Sequence, residues 1–212
     1  MTLSDQEVDL IRPVFFNALA YAGERLSEIS ANKVIVTEST LKLIHSDDIS
    51  LLFSGNQKII SGTYLSFNSR ENQESNDVSI CGHLLLSFPI DSAYRLASIL
   101  LQDLNVPLNK IQGMTNSIFG ELGNIFGTGF LTFLANVAEI KLLPSVPSVI
   151  NYKATSILEY VQDQLDDQDQ TLLMMHTKIQ LEKQPIEGEF LCFTKDYQNI
   201  KNLVLNMPKQ ES

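Results

Sequence analysis

The amino-acid sequence predicts an α+β fold in which two pseudosymmetric helix–strand halves share one mainly antiparallel sheet, with two long helices packed on it. Three observations support this prediction. Two long segments have helical periodicity, strand-like segments follow each of them, and similar segments recur after about 106 to 108 residues. Since neither half could bury a sheet face alone, a single sheet covered on one side by the long helices is the simplest arrangement.

The first half is predicted to begin with a long helix. Ser4 and Glu7 fit a capping box at its start. Pro13 interrupts its apolar periodicity, which predicts a kink or a restart at that point. Asp91 is expected to cap the shorter helix that closes this half. Between the two helices, Ile, Leu and Tyr content predicts four strands: 33–38, 50–54, 57–67 and 79–88.

The second half repeats this order. Pro107 suits the first turn of a second long helix, which is predicted to run to about Ala138. Two pairs of segments match at the offset: 29–36 with 137–144, and 82–100 with 188–205. We therefore expect one domain, residues 1–212, with halves of approximately 1–105 and 106–212.

Composition limits the classes of function. The chain has 212 residues and a formal net charge of −10. Proteins that bind nucleic acid rely on clustered Lys and Arg, so a nucleic acid is not an expected partner. The same charge disfavours an anionic membrane surface. No membrane insertion is expected, because polar residues break the best apolar run, 118–143.

The cysteines and histidines do not predict a metal site. Cys81 and Cys192 are expected to be reduced, buried strand residues of a cytoplasmic protein, with a disulfide as the alternative. The acidic, polar N-terminus does not have the pattern of a signal peptide. His45, His83 and His176 stand far apart, without the spacing that metal ligands show.

The second long helix carries a stripe of polar residues. Ser117, Glu121, Asn124 and Thr128 are separated by four, three and four positions. On a helix they fall within roughly 60° of arc, because each residue advances about 100°. A carboxylate and a neutral amide therefore project together from one face. Apolar residues are expected on the opposite side: Ile118, Leu122, Ile125, Phe126 and Phe133.

The same helix is rich in glycine. Residues 113–129 contain five of the ten glycines in the chain. Because a glycine inside a helix costs about 0.5–1 kcal/mol relative to alanine, a packing reason is expected. Gly120, Gly123 and Gly127 share one flank, where they would let the first long helix approach closely. The small residues expected to meet them are Ala18, Ala22 and Gly23.

The stripe resembles the signature of the CheC/CheX/FliY family, the phosphatases of phosphorylated CheY in bacterial chemotaxis. That signature is Asp or Ser, three residues, Glu, two residues, Asn, and Pro after a further twenty-two. This chain has Ser117, Glu121, Asn124 and Pro147 at that spacing. The resemblance implies a CheC-like fold, with two α/β halves, one shared sheet and the two long helices side by side.

The resemblance also implies roles for these residues. Asn124 would orient the attacking water at the aspartyl phosphate of a CheY-type receiver domain, and Glu121 would dock on the Lys of that regulator. Ser117, Thr128 and Thr132 would contact the partner. The chain would need no cofactor of its own, because the phosphorylated partner would supply Mg²⁺. A non-catalytic CheC-like binding module for a receiver or a flagellar switch protein is the alternative function.

One active site per chain is expected. The repeat offset aligns the first long helix with the stripe, placing Asp9 opposite Ser117, Pro13 opposite Glu121 and Phe16 opposite Asn124. The carboxylate and the amide are therefore missing from the first helix. A shift of one position would bring Asn17 into register, but nothing there could replace Glu121. Both a monomer and a homodimer remain open.

Overall fold

The computed structural model describes residues 3–30, 32–52, 58–69, 80–101, 108–165 and 170–205. Within these ranges the chain forms five α-helices, seven strands and one short 3₁₀ helix, Ser46–Leu51. The helices are α1 (Asp5–Ser30), α2 (Ile90–Leu101), α3 (Leu108–Ala138), α4 (Ala154–Asp163) and α5 (Tyr197–Leu205). The strands are β1 (Val34–His45), β2 (Ile59–Ser69), β3 (Cys81–Pro89), β4 (Leu142–Pro144), β5 (Ser148–Lys153), β6 (Thr171–Leu181) and β7 (Glu187–Thr194).

The strands form one antiparallel sheet, which confirms the predicted α+β fold. Their order is β1-β6-β7-β3-β2-β4, and β5 also pairs with β2. β4 and β5 therefore share one edge of the sheet, while β1 forms the other. Each edge is made by the strand or strands that directly follow a long helix, α1 at one edge and α3 at the other.

Both faces of the sheet are covered. The main core lies between the sheet and the long helices, and it includes Phe15 of α1, Phe126 and Phe130 of α3, and Phe190 of β7. A second core on the opposite face is closed by α4, which was not predicted. The side chains of one strand alternate between the faces. The apolar residues of β1, β2, β6 and β7 that point away from the long helices are therefore buried by this short helix.

Most of the predicted elements are present. At the start of α1 the Ser4 amide donates to Glu7 Oε2 (2.8 Å) and the Glu7 amide donates to Ser4 Oγ (3.3 Å), which confirms the capping box. α1 is continuous through Pro13, so no second helix starts there. α2 begins at Ile90, so Asp91 lies in its first turn rather than at the cap. Pro107 and the boundary between the predicted halves lie outside the described residues.

The strand predicted at 50–54 is wrong over its described part. Residues Ser46–Leu51 form the 3₁₀ helix and Leu52 forms a turn, whereas 53–57 lie outside the described residues. His45 caps this helix, since its Nδ1 accepts a hydrogen bond from the Asp47 amide (3.4 Å). The polar start of the segment favours a helical turn over a strand, and burial of Ile49 in the second core holds it in place.

Both cysteines are free, and both lie on strands. Cys192 is buried in β7, where burial raises the pKa of its thiol. Cys81 is half-buried at the start of β3, so its predicted burial is only partial. The two cysteines form no disulfide with each other in this fold.

The segment Gly113–Ala138 of α3 is long and apolar enough to cross a membrane by length and composition alone. The polar residues in this run were expected to rule out a membrane-spanning helix. By length and hydropathy they do not rule it out. In the structure, Phe119, Leu122 and Phe126 of this helix belong to the main core. A core helix of this kind passes the same test of length and hydropathy.

Candidate functional site

α3 lies unusually close to the sheet. A Cβ atom added to Gly123 would lie 2.3 Å from both Cβ and Cγ2 of Thr63 on β2. Thr63 Oγ1 donates a buried hydrogen bond to the Phe119 carbonyl oxygen (2.7 Å), one helical turn before Gly123. Only glycine leaves room for this approach. The distance between α3 and β2 is thus fixed next to Glu121 and Asn124.

The glycines of α3 pack differently from the sequence-based expectation. Gly123 and Gly127 face the sheet, the latter with Leu65 Cδ1 3.0 Å from an added Cβ, and Gly120 faces Val149 of β5. None of the three therefore meets α1, because that flank of α3 turns toward the sheet.

The close approach between the two long helices occurs at a different glycine. A Cβ on Gly129 would lie 3.3 Å from the Cα of Ala22. The aromatic pair of Phe15 and Phe130 packs edge to face in the same region, with ring centroids 6.0 Å apart. Gly23, which was expected to face α3, instead meets Val36 of β1. The predicted helix–helix contact exists, but Gly129 makes it.

The polar stripe lies on the outer side of α3. Because Gly123 faces the sheet, Glu121 and Asn124 point roughly 160° and 100° away from it around the helix. Glu121 is exposed and Asn124 is half-buried. Neither side chain forms a hydrogen bond or an ion pair with any described residue. A carboxylate and an amide are therefore both available on a helix whose position is fixed by the core.

The three predicted contact residues differ from one another. Ser117 and Thr132 are exposed. Thr128 is half-buried, and its Oγ1 donates to the Asn124 carbonyl oxygen (2.6 Å). This hydroxyl proton is consequently committed to the backbone of α3, directly at the residue that carries the amide.

β5 runs alongside α3 in the opposite direction. Asn151 Nδ2 donates to Asn116 Oδ1 (2.8 Å), and Val149 Cγ2 lies 3.5 Å from a Cβ built on Gly120. A strand advances about 3.3 Å per residue and a helix about 1.5 Å. Pro147, two residues before Val149, therefore comes level with the helix position about four residues beyond Gly120, which is Asn124. Thr63 and the Asn116–Asn151 pair carry no signal in the sequence, since each depends on packing between distant segments.

The equivalent face of α1 carries a different arrangement. Asp9 forms an ion pair with Arg12 (Nη2 to Oδ1, 2.8 Å). The Arg12 guanidinium lies 5.9 Å from the ring centroid of Phe16. Pro13 and Asn17 are exposed. This surface thus offers a carboxylate that is already paired, a proline and an aromatic ring.

The described residues offer no group of three or more His, Cys, Asp or Glu side chains that could hold a metal ion. The histidines lie in separate places on the sheet. His83 Nδ1 lies 2.7 Å from the Tyr64 hydroxyl, and His176 Nε2 lies 3.0 Å from Glu189 Oε2. His45 caps the 3₁₀ helix.

Comparison with known proteins supports the resemblance found in the sequence. No protein-family model matches the chain. Over 149 residues, covering 69% of this chain and 67% of the relative, the sequence is 21% identical to the CheY-P phosphatase CheC of Bacillus subtilis (strain 168). Thermotoga maritima FliY has a similar structure, with a TM-score of 0.68 and 16% identity, over 96% of this chain and 100% of that chain.

A second solved structure has the same fold. FliM in the FliM–SpeE complex of H. pylori matches with a TM-score of 0.64 and 12% identity, over 99% of this chain and 100% of that chain. The chain therefore has the CheC-like fold that FliY and FliM share. Together with the CheC match, this confirms the resemblance to the CheC/CheX/FliY family of chemotaxis proteins.

Proposed function

We propose that the protein is a CheC-like phosphatase that removes the phosphoryl group from the aspartyl phosphate of a CheY-type receiver domain. The observation that carries this proposal is the outward projection of Glu121 and Asn124, free of partners among the described residues, from a helix fixed against the sheet. The similarity to the CheY-P phosphatase CheC supports the same activity. The chemotaxis relatives also favour a cytoplasmic protein.

Asn124 would act chiefly by orienting the attacking water. Transfer of a phosphoryl group proceeds through a loose transition state, so placing water in line with the leaving carboxylate supplies most of the catalysis. A side-chain amide has an oxygen that accepts a hydrogen bond from that water and an NH₂ group that donates to a phosphoryl oxygen. Because the amide is uncharged, it would not repel the anionic phosphoryl group.

Glu121 would dock the helix on the partner. A receiver Lys beside its acyl phosphate would meet this carboxylate in a charge-assisted hydrogen bond. Such a contact would also set the depth at which Asn124 enters the partner. Ser117 and Thr132 would contribute at the rim, and Thr128 would act there through its methyl group, since its hydroxyl proton is bound to the helix backbone.

The catalytic metal would come from the partner. We assign Mg²⁺ to the phosphorylated receiver, where it would neutralise charge on the phosphoryl oxygens. One site per chain follows from the residues of α1, since Asp9 is paired with Arg12 and Pro13 stands at the position of Glu121. The site would therefore work in a monomer or in each subunit of a homodimer.

The proposal is tested by adding the purified protein to a CheY-type receiver domain that a small phosphodonor has phosphorylated. We expect the rate of phosphate loss to rise with protein concentration and then to saturate, because a complex must form. If phosphate loss continues at the intrinsic rate of the receiver at every concentration, the phosphatase activity is absent.

A second function is favoured by the match to FliM, which covers 99% of this chain. The protein would then be a non-catalytic binding module for a receiver or a flagellar switch protein. Binding of the phosphorylated receiver without any rise in phosphate loss would support this function over catalysis. Both activities would use the same exposed face of α3.

A further inference from the structure

The edge of the sheet beside Asn124 contains a β-bulge. β2 pairs with β4 up to Phe67 and Pro144, and with β5 from Tyr64 and Ser148. Residues 145–147 therefore lie opposite only two residues of β2, Leu65 and Ser66. One extra residue in an edge strand kinks it locally and redirects a side chain, and proline is tolerated at such a position. Pro147 occupies this bulge, level with Asn124.

Ser145 fixes the bulge to its neighbour. Its amide donates to the Ser66 carbonyl oxygen (2.8 Å), and its Oγ accepts from the Ser66 amide (3.0 Å). The same hydroxyl lies 3.2 Å from the Val146 carbonyl oxygen, to which it donates. The bulge is thus tied to β2 by main-chain and side-chain bonds. Val146 follows this clamp and is held by it.

Val146 is 85% exposed, more than any other large apolar side chain among the described residues. Single exposed apolar residues are ordinary on a protein surface. This one differs because a clamped bulge presents it, next to a residue that stands level with Asn124. An apolar side chain held in solvent by fixed backbone is suited to burial against a partner, since little conformational entropy remains to be lost.

The other sheet edge has a bulge at the equivalent position, but no counterpart of Glu121 and Asn124 lies beside it. In β1, Glu38 and Ser39 lie opposite Thr177 alone, and Glu38 has a φ of 48°. At the offset of 108 residues, Glu38 corresponds to Val146. Glu38 forms an ion pair with Lys178. The bulge therefore belongs to the fold, whereas the free apolar tip occurs only beside α3.

We infer that Val146 is a partner-contact residue, which packs against the receiver domain while Asn124 enters its phosphorylated pocket. This inference rests on the proposed function, because the occupant is the same receiver. The contact surface then consists of the outer face of α3 and the tip of the 145–147 bulge. Val146 would determine affinity and the choice of receiver, and it would take no part in the chemistry.

The test uses a CheY-type receiver domain whose aspartate carries beryllofluoride, a stable mimic of the phosphoryl group. We expect Val146→Asp to weaken binding by about tenfold or more and Val146→Ala to weaken it less, as for a buried contact at the edge of a hot spot. Leu143→Asp is the matched control. Leu143 lies on the same sheet edge and is exposed, but strand alternation turns it away from the face that α3 covers, where its neighbour Leu142 packs.

The outcomes separate this inference from the proposed function. If Glu121→Ala weakens binding while Val146→Asp binds as tightly as the wild type, the inference is wrong and the docking role of α3 stands. If the wild type does not bind the receiver, both fail together. Equal losses in Val146→Asp and Leu143→Asp would indicate a general effect of charge and would also overturn it. Sedimentation of the free protein tests for self-association. If the wild type is a dimer, and Val146→Asp makes it monomeric without changing receiver affinity, Val146 contacts a second copy of the chain and the inference is wrong.

Discussion

The two long helices occupy comparable places in the fold, yet they present different chemistry. α3 exposes Glu121 and half-exposes Asn124, without bonds to other described residues, whereas α1 presents Pro13 and the Asp9–Arg12 pair. The two sheet edges show a similar difference. The bulge beside α3 exposes Val146, whereas the bulge in β1 carries Glu38, which forms an ion pair with Lys178. The fold therefore supplies two similar frames, and only one of them carries groups that are free to engage a partner.

The largest effect is expected from removal of the amide. Asn124→Ala should lower the receiver dephosphorylation rate by about 100-fold at saturating protein, since misplaced water alone costs about that much. The matched control is Asn17→Ala, because Asn17 is the nearest exposed amide at the corresponding place on α1. Phosphate release is measured after each variant has been shown to fold by circular dichroism. A loss in Asn17→Ala comparable to that in Asn124→Ala would remove the distinction between the helices.

Stability should distinguish two glycines, one on each long helix. Gly123→Ala should lower the free energy of unfolding by about 1–3 kcal/mol, because its Cβ would overlap Thr63. Gly23→Ala should cost less, since the nearest atom, Val36 Cγ2, lies at 3.3 Å and can shift. Urea unfolding of the two variants measures the difference. Equal stability of Gly123→Ala and the wild type would mean that α3 is not fixed at this distance from the sheet.

Loss of the carboxylate should weaken docking more than it affects the fold. Glu121→Gln should reduce affinity for the beryllofluoride-bound receiver by about tenfold, as expected for loss of a hydrogen bond between charged groups. Asp9→Asn on α1 is the control, because its carboxylate is engaged by Arg12. Isothermal titration calorimetry reports both affinities. An unchanged affinity for Glu121→Gln would contradict the docking role.

The smallest effect is expected at a carboxylate of α1 that has a structural role. The hydrogen bond from Lys201 on α5, together with the amide and hydroxyl of Ser4, lowers the pKa of Glu7 from 4.5 to about 2. A carboxyl group whose pKa is lowered by folding stabilises the protein at pH values above its pKa in the unfolded state. This stabilisation is lost as the pH falls through the pKa of the folded state.

Glu7→Gln should therefore be less stable than the wild type at pH 7. The gap should close as the pH falls from about 4.5 towards 2. Thermal unfolding over this range measures it, and receiver dephosphorylation at pH 7 should be unchanged. A difference in stability that stays constant over the whole pH range would show that the stabilising contact with Lys201 does not require an ionised Glu7.

The sequence predicted the polar stripe well because helical spacing alone determines which side chains share a face. Glu121 and Asn124 needed only a periodicity of about 100° per residue. The roles of Gly123 and Gly127 could not be predicted in the same way, because their flank could have met either a helix or a strand. Thr63 decides between the two, and it lies sixty positions away with no feature that marks it.

Local signals also failed where two structures fit one composition. The segment after β1 has the apolar content of a strand, but the cap by His45 gives a 3₁₀ helix. Pro147 was recognised from its spacing, yet a proline in a short link fits a loop as well as a bulge. Its position level with Asn124 follows only from the contacts between β5 and α3, namely the Asn151–Asn116 hydrogen bond and the packing of Val149 against Gly120. Pairing between distant segments is a property of the folded chain.

The central claim is that α3, and not α1, carries the activity. The most direct measurement compares the rate of receiver dephosphorylation for two double variants, Glu121→Ala with Asn124→Ala, and Asp9→Ala with Pro13→Ala. The first should leave only the intrinsic rate of the receiver, and the second should retain the full rate of the wild type. Full activity in the first variant, or loss confined to the second, would contradict the account.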